Sequence, residues 1–431
     1  MKEKILASLK RLNIEEYIIN VTSYKNAQMF FVKKSLDCKR AENTKTYNIR
    51  VYRSFEKNGK EMKGSSSVFV YDGMTDEEID ASLGRTYLAA SFVCNPTFEL
   101  TECTENKFIT MESGLFDHTL EECCEKASEA LFAEDNRSDA FINSAEIFAY
   151  ETNVEIISST GIDSGYTKRK ISGEFVAQCK EPQDVETYKD FQYYDLDCES
   201  LKSLVRKTLE YTLERAKATQ APKAGKYRVI ISDHYVCSVF SYYMGRAQAP
   251  YIYAGYSTFE VGQNVQAVNA EGESTDVQGD KVSMTLVPTE PMSDEGIWQQ
   301  ERELLDEGVL KTYHGGLRFS RYLGIEPTGY FGCIKVAPGS MSVEDMKKEP
   351  YLWVVNFSDF MLDDFTGHFG GEIRLAFLFD GEKVTPVTGG SINGSIIDSQ
   401  TNMHFSKEIQ KSANFVGPYA MCFEDISVAG V

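Results

Sequence analysis

The sequence predicts a protein of mixed helix and sheet, with helices interleaved among strands in its first half and a second half dominated by sheet. Three observations carry that prediction. Two segments of the first half, after Thr75 and from about Ser200, have the spacing of amphipathic helices amid short stretches rich in aromatic and β-branched residues. A breaker-rich connector, Gln220-Ala221-Pro222-Lys223-Ala224-Gly225, then ends the first half. Beyond it the chain has more glycine, long loops and a strong hairpin signal at Asp380-Gly381.

Taken in order, Ile5, Leu6, Leu9 and Leu12 give the first turns one apolar face, so a helix opens the chain. Its early charges break the apolar run that a signal peptide would need, and a helix of the mature protein is expected. Glu16–Val21, Gln28–Val32, Tyr47–Tyr52 and Ser66–Tyr71 then read as short strands separated by polar turns. Thr75-Asp76-Glu77-Glu78 has the form of a capping box, followed by an apolar stripe at Ile79, Leu83, Tyr87 and Ala90 and a stop at Asn95-Pro96. A helix-like stretch around Glu121–Phe132 leads to paired strands within Ala145–Ser159, a turn over Thr160–Gly165, and strands again from Lys170. The helix from about Ser200 to Ala218 carries Leu201, Leu204, Val205, Leu209 and Leu213 on one face. After the connector, Tyr227–Ile231 is a strand, Gly296–Glu307 the one convincing helix of the second half, and Ile373–Phe379 pairs with Lys383–Val387 across Asp380-Gly381. The 431 residues exceed the size of one core, so the chain is divided into 1–221 and 222–431, with a subdivision near 98 left open.

Composition narrows the function classes. A net charge of −20 argues against nucleic-acid binding, whose affinity comes mostly from Lys and Arg on phosphates. The densest basic run, Lys168-Arg169-Lys170, reads as a solvated strand entry. No window approaches the ~18 consecutive apolar residues of a membrane span. Ten cysteines without C-x-x-C pairs, in a chain too long to need disulfides, suit reduced thiols and a cytoplasmic location.

Patterns that carry chemistry are sparse. Five histidines, at 118, 234, 314, 368 and 404, are too far apart to give a helix-borne ligand pair, and Cys123-Cys124 would point to different faces of a helix. No metal site is expected in this chain alone. Ser232-Asp233-His234 places triad residue types side by side, but triads assemble through the fold and neighbours point apart, so a loop capping the next helix is the simpler reading. The runs Gly367–Gly371 and Thr388–Gly394 lack the Lys-Ser/Thr of a phosphate loop and read as sheet turns. Asp363-Asp364 could be half of an acidic pair whose other carboxylate the sequence does not identify.

Beside this reading stands an ordered series of motifs. It comprises the Thr160-Gly161 turn with Lys168–Ala177, Tyr193-Tyr194-Asp195-Leu196-Asp197, Ser293-Asp294-Glu295-Gly296, Leu304–Leu310, Gly370–Phe379, Gly381–Val387, Gly389–Gly394 and Ile426–Gly430. In order and spacing across residues 140–431 the series resembles the TldD/PmbA family, once named for modulation of DNA gyrase and later understood as a peptidase system. Within Leu304–Leu310 the resemblance implies a helix ending in Gly-x-Leu.

Members resembling TldD carry His-Glu-x-x-x-His on a helix after the first strand of the C-terminal half, where two imidazoles hold zinc and the Glu activates water. Counting forward from Val229-Ile230-Ile231, the equivalent place reads Ser241-Tyr242-Tyr243-Met244-Gly245-Arg246, so Ser241, Tyr242 and Arg246 stand where His, Glu and His are needed. The resemblance therefore implies an α+β fold, with an N-terminal α/β half and a C-terminal half built on a large, mostly antiparallel sheet. It implies a TldE/PmbA-like subunit, expected to hold no cofactor itself and to act in proteolysis beside a zinc-bearing TldD-like partner, in a homo- or hetero-oligomer that handles peptide. No catalytic residue carries over. Ser241, Tyr242, Arg246, Asp294 and Glu295 are candidates for substrate or partner contact, and Arg246 is either a carboxylate binder or a solvated helix-end cation. A non-enzymatic interaction protein or gyrase modulator, pictured as a homodimer, is the alternative, with a metal-independent hydrolase last.

Overall fold

The computed structural model describes residues 1–269 and 272–430. The first half runs α1 (Lys2–Arg11), β1 (Glu16–Val32), β2 (Ser35–Lys57), β3 (Lys60–Val70), α2 (Asp76–Ala90), β4 (Phe108–Thr110), α3 (Leu120–Ala133), β5 (Phe141–Ser158), β6 (Asp163–Cys179), β7 (Val185–Tyr193) and α4 (Cys198–Lys217). Its strands form one sheet in the order β3-β2-β1-β5-β6-β4, with β7 also on β6. Alternate residues of β1 decide what each face meets, because successive side chains leave a strand on opposite sides. Ile19 and Val21 pack under α1 and α2, and Met29 and Phe31 under α3 and α4. Ile18, on the other face, joins Tyr52, Ile156 and Tyr166 against Met292 and Leu317 of the second half. Helices thus cover one face of an antiparallel sheet and the second half covers part of the other, an α+β arrangement.

The second half runs β8 (Gly225–Ser232), α5 (His234–Arg246), α6 (Ala249–Tyr253), β9 (Met284–Val287), β10 (Arg302–Asp306), β11 (Val309–Leu310), α7 (Leu317–Leu323), β12 (Cys333–Val336), α8 (Val343–Met346), β13 (Tyr351–Leu362), β14 (His368–Phe379), β15 (Val384–Val387), β16 (Ser391–Ser395), α9 (Ile396–Ser399), β17 (His404–Phe405), β18 (Ile409–Lys411), β19 (Phe415–Pro418) and β20 (Ala420–Ala429). One sheet has the order β13-β8-β20-β16-β14-β15, and the additional pairing of β13 with β14 closes five of its strands into a barrel. A second, β11-β10-β9-β12-β19-β18, lies across α5 from it. Most pairings are antiparallel; β8 with β13 and β12 with β19 are parallel. Helix α5 is the shared core, with Val236, Val239, Phe240 and Tyr243 all fully buried.

Several expectations meet corrections. The four short strands of the N-terminal region are parts of three long ones: Glu16–Val32 is continuous because β1 is paired on both edges, so its polar residues need no turn. Strand β6 begins at Asp163, before Lys170, and Lys168 and Arg169 lie within it, paired with Glu290 and Glu151, rather than at a solvated entry. Cys123 and Cys124 are both fully buried. Gly296–Glu307 is not a helix, nor does a helix end in Gly-x-Leu there: Leu304 and Leu305 are both buried in β10, and Glu307-Gly308, with φ of 46° and 85°, turns directly into β11. A strand buried on both sides shows no alternation, which is why its apolar pair fits a helical stripe as well. The Asp380-Gly381 hairpin forms, but over four residues, since Phe379 pairs with Val384.

Gly64 sits in β3 where α2 ends, and a methyl group there would stand 1.8 Å from the Ala90 carbonyl oxygen and 2.4 Å from that of Val93. Gly84, within α2, has nothing within 4 Å of the same position. Opposite effects are expected. Gly64→Ala should lose about 1–3 kcal/mol by forcing backbone apart, whereas Gly84→Ala should gain about 0.5–1 kcal/mol of helix stability. Urea unfolding of the two variants measures both, and a neutral Gly64→Ala would refute the close approach.

Candidate functional site

The site begins at the end of β8. Asp233 follows it with φ 67° and ψ −147°, a backbone region otherwise left almost entirely to glycine, and its carboxylate accepts from the His234 amide to cap α5. Ser232 stays in the strand, where its hydroxyl accepts from the Trp353 indole at 3.0 Å. The Ser-Asp-His run is therefore a strand end and a cap, and its three side chains form no triad.

Along α5, Ser241 Oγ donates to the Cys237 carbonyl at 2.9 Å, and Tyr242 is buried against Tyr243 and Phe259. Arg246 ends the helix with only 9% of its surface exposed, which rules out the solvated cation. Its Nη1 donates to the carbonyls of Tyr256 and Phe365, its guanidinium lies 5.7 Å from the Phe259 ring centre, and its Nε has no hydrogen-bond partner. Asp364 faces the same place from the β13–β14 loop, its carboxyl pushed up by burial and by Asp363, with Arg246 opposing. Its neighbour Asp363 accepts from the amides of Phe365 and Thr366 and shapes the loop. Among the described residues Asp364 is in no ion pair, so the acidic run feels the nearby charge of Arg246 without being bonded to it.

Zinc does not fit here. A hydroxyl turned back onto its own helix, a phenol in the core and a guanidinium cannot supply the neutral imidazoles and carboxylate that such a site needs. Among the described residues no three His, Cys, Asp or Glu side chains converge as a metal cage. What the end of α5 does present is an aromatic lip. Tyr251 stacks on Phe365 at 5.0 Å between ring centres, Tyr256 meets Phe365 edge-on at 5.5 Å, and Tyr256 and Phe365 are each at least half exposed. Behind the lip, His314 is buried, with Nε2 donating to the Met244 carbonyl at 2.9 Å and its own backbone bonded to Ala247 and Ala249 on either side of the α5–α6 junction.

Asp294 and Glu295 lie elsewhere, at the seam between the halves. Arg50 of β2 pairs with Asp294 at 3.2 Å and Glu295 at 3.8 Å, Asn20 of β1 donates to the Asp294 carbonyl, and Glu295 accepts from the Leu317 amide at 2.7 Å. Burial raises the Glu295 carboxyl, with Asp294 adding to it. The five candidate residues thus fall into two groups, three at the end of α5 and two at the seam. Tyr256, Phe365, Asp364 and His314 complete the first group; the sequence singles out Asp364 in its acidic run and His314 among the histidines, but ties neither to α5.

Residues 224–430 match the family model described as PmbA/TldA metallopeptidase C-terminal domain. No curated protein matches the chain. Among solved structures, it is similar to a "putative modulator of a DNA gyrase" from Thermotoga maritima, with a TM-score of 0.77 and 16% identity over 99% of each chain. TldE from Thermococcus kodakarensis aligns with a TM-score of 0.76 and 15% identity over 100% of each chain. A "putative modulator of DNA gyrase" from Bacteroides thetaiotaomicron gives 0.75 and 14%, over 100% of this chain and 99% of that one. At these identities the likeness to the three structures is one of fold. No helix among the described residues is long and apolar enough to cross a membrane.

Proposed function

This chain belongs to the TldD/PmbA family by its C-terminal domain, and from that premise we propose that it is the zinc-free, TldE-like subunit of a cytoplasmic two-subunit peptidase, acting beside a TldD-like partner. The observation that carries the reading is the chemistry of α5. By the family resemblance the helix stands after β8 where the zinc-bearing kind of subunit would carry its ligands, and here Ser241, Tyr242 and Arg246 are committed to internal hydrogen bonds and packing. In this reading the three residues act behind the surface, holding the Tyr256–Phe365 lip where partner or peptide would meet it. Asp294 and Glu295 hold the two halves at the angle that presents it. A solved TldE among the structures of like fold agrees with this.

The test is zinc content and hydrolysis of an unstructured peptide by the purified chain, by a TldD-like protein with an intact His-Glu-x-x-x-His, and by the mixture. Hydrolysis in the mixture above that of the partner alone, with zinc following the partner, is expected. Zinc-dependent hydrolysis by the lone chain would overturn the reading. Silence in all samples would favour a non-enzymatic interaction protein, the reading that the gyrase-modulator names of two similar structures suggest. With a net charge of −20, such a role would act through protein and not DNA.

A further inference from the structure

A cleft of about 280 Å³ lies between the halves, with walls from β7, α4, β13 and the first turn of α5. It is near the small end of ligand pockets, which run from about 300 to 1,000 Å³. Two strands supply runs of consecutive residues to it, Thr187–Asp190 and Val355–Phe360. A strand facing a space with its side chains would contribute every second residue, so both strands present their edges.

Those edges are free. Among the described residues β7 pairs only with β6, and β8 accompanies β13 only over Leu352–Val354, after which β13 is irregular as far as Phe360. Past Val354, Tyr235 Oη accepts from the Phe357 amide in place of a strand partner. Of the charged groups that line the cleft, Lys189 and Lys207 are paired with Asp233, whereas Arg215 and Asp359 are in no ion pair among the described residues. The Arg215 Nη1 donates to the Glu186 carbonyl, and the like charge of Arg374 acts on the guanidinium. Arg374 donates to Ser358 Oγ at 2.9 Å, and the next residue, Asp359, carries a carboxylate that is likewise unpaired among the described residues. The cleft is thus lined by one cation and one anion, Arg215 and Asp359, that are not paired with each other. Aromatic rings of Tyr211, Tyr235 and Phe357 line the space between.

A ligand that meets all of this has backbone amides to add to a strand edge, a carboxylate and an ammonium group. We propose that the cleft binds a short zwitterionic peptide, laid against the free edge of β13 with its carboxylate at Arg215 and its ammonium at Asp359. The site is separate from the α5 lip and does not depend on the peptidase-subunit reading.

Calorimetric titration of the full chain with dialanine tests it, with N-acetyl-dialanine, alanyl-alanine amide and inorganic phosphate as comparisons. Dialanine is expected to bind, and each capped form at least tenfold more weakly. Arg215→Gln should abolish the penalty for amidation, and Asp359→Asn, on an exposed side chain that the fold does not need, the penalty for acetylation. No heat with dialanine, or equal binding of phosphate and all three peptides, would overturn the proposal, the latter by showing an unselective anion site.

Discussion

Asp233→Ala is expected to destabilise the folded chain by about 3–5 kcal/mol, the range for breaking a buried ion pair from one side together with the loss of a helix cap. Burial works against the Asp233 charge, but the His234 contact and the charges of Lys189 and Lys207 hold its carboxyl well below the usual range. Lys207 stands 3.0 Å from it and 4.6 Å from the Tyr419 ring centre; burial lowers this ammonium, and Asp233 with Tyr419 more than restores it. Alanine would leave Lys207 half-buried without its anion, uncap the central helix, and keep a side chain at φ 67°, which costs about 1–3 kcal/mol by itself. Asp233→Gly removes the same cap and charge but relieves the backbone. Urea midpoints should therefore fall for both, and by about 1 kcal/mol less for glycine. If glycine is no more stable than alanine, the strain at this position is not real.

That strain leaves no mark in the sequence, where Ser232-Asp233-His234 reads as a cap and no more. The contrast runs through the whole chain. Local interactions were legible: Thr75 and Glu78 form their reciprocal cap, Asp380-Gly381 turns a hairpin, and the long helix predicted from Ser200 is α4. Thr119 and Glu122 form a second capping box that the same rule would have found. Where elements are defined by neighbours distant in sequence, local pattern misled. Ser23–Ala27 stays extended because Glu151–Asn153 and other residues of β5 pair with it from far along the chain, and the twin leucines of β10 are buried from both sides by sheet and core. The candidate site is of this second kind. Arg246 is held by carbonyls 10 and 119 residues away, and His314 reaches back 70 residues to Met244. The family resemblance located α5, whereas the surroundings of its residues came only with the fold.

His314 is expected to make the chain lose about 3 kcal/mol of stability as pH falls from 6.5 to 4. Burial disfavours its charged form and outweighs the help of the Met244 carbonyl, so its pKa drops from the ordinary 6.5 to about 4. Nε2 donates to Met244, which leaves Nδ1 as the buried, unpartnered nitrogen that a second proton would have to occupy. The folded state therefore keeps the ring neutral through a range in which the unfolded chain takes up a proton. Its stabilising effect is whole above about 6.5, declines as pH falls towards 4, and declines no further once both states are protonated. A gap of about 2.5 pH units at 1.36 kcal/mol each gives the figure. Raised carboxyls such as Glu295 and Asp364 have the opposite sign, so the comparison must be with a variant that keeps them. His314→Gln can still donate to Met244 but does not titrate, and its unfolding free energy should vary less steeply with pH, by up to about 1.4 kcal/mol per unit inside the window. Parallel curves for the two proteins would mean that the ring is not held neutral. Because the His314 backbone ties Ala247 to Ala249, the same acidification should first loosen the turn behind Arg246, and hydrogen exchange at Ala247 and Ala249 should quicken before that of α5 itself.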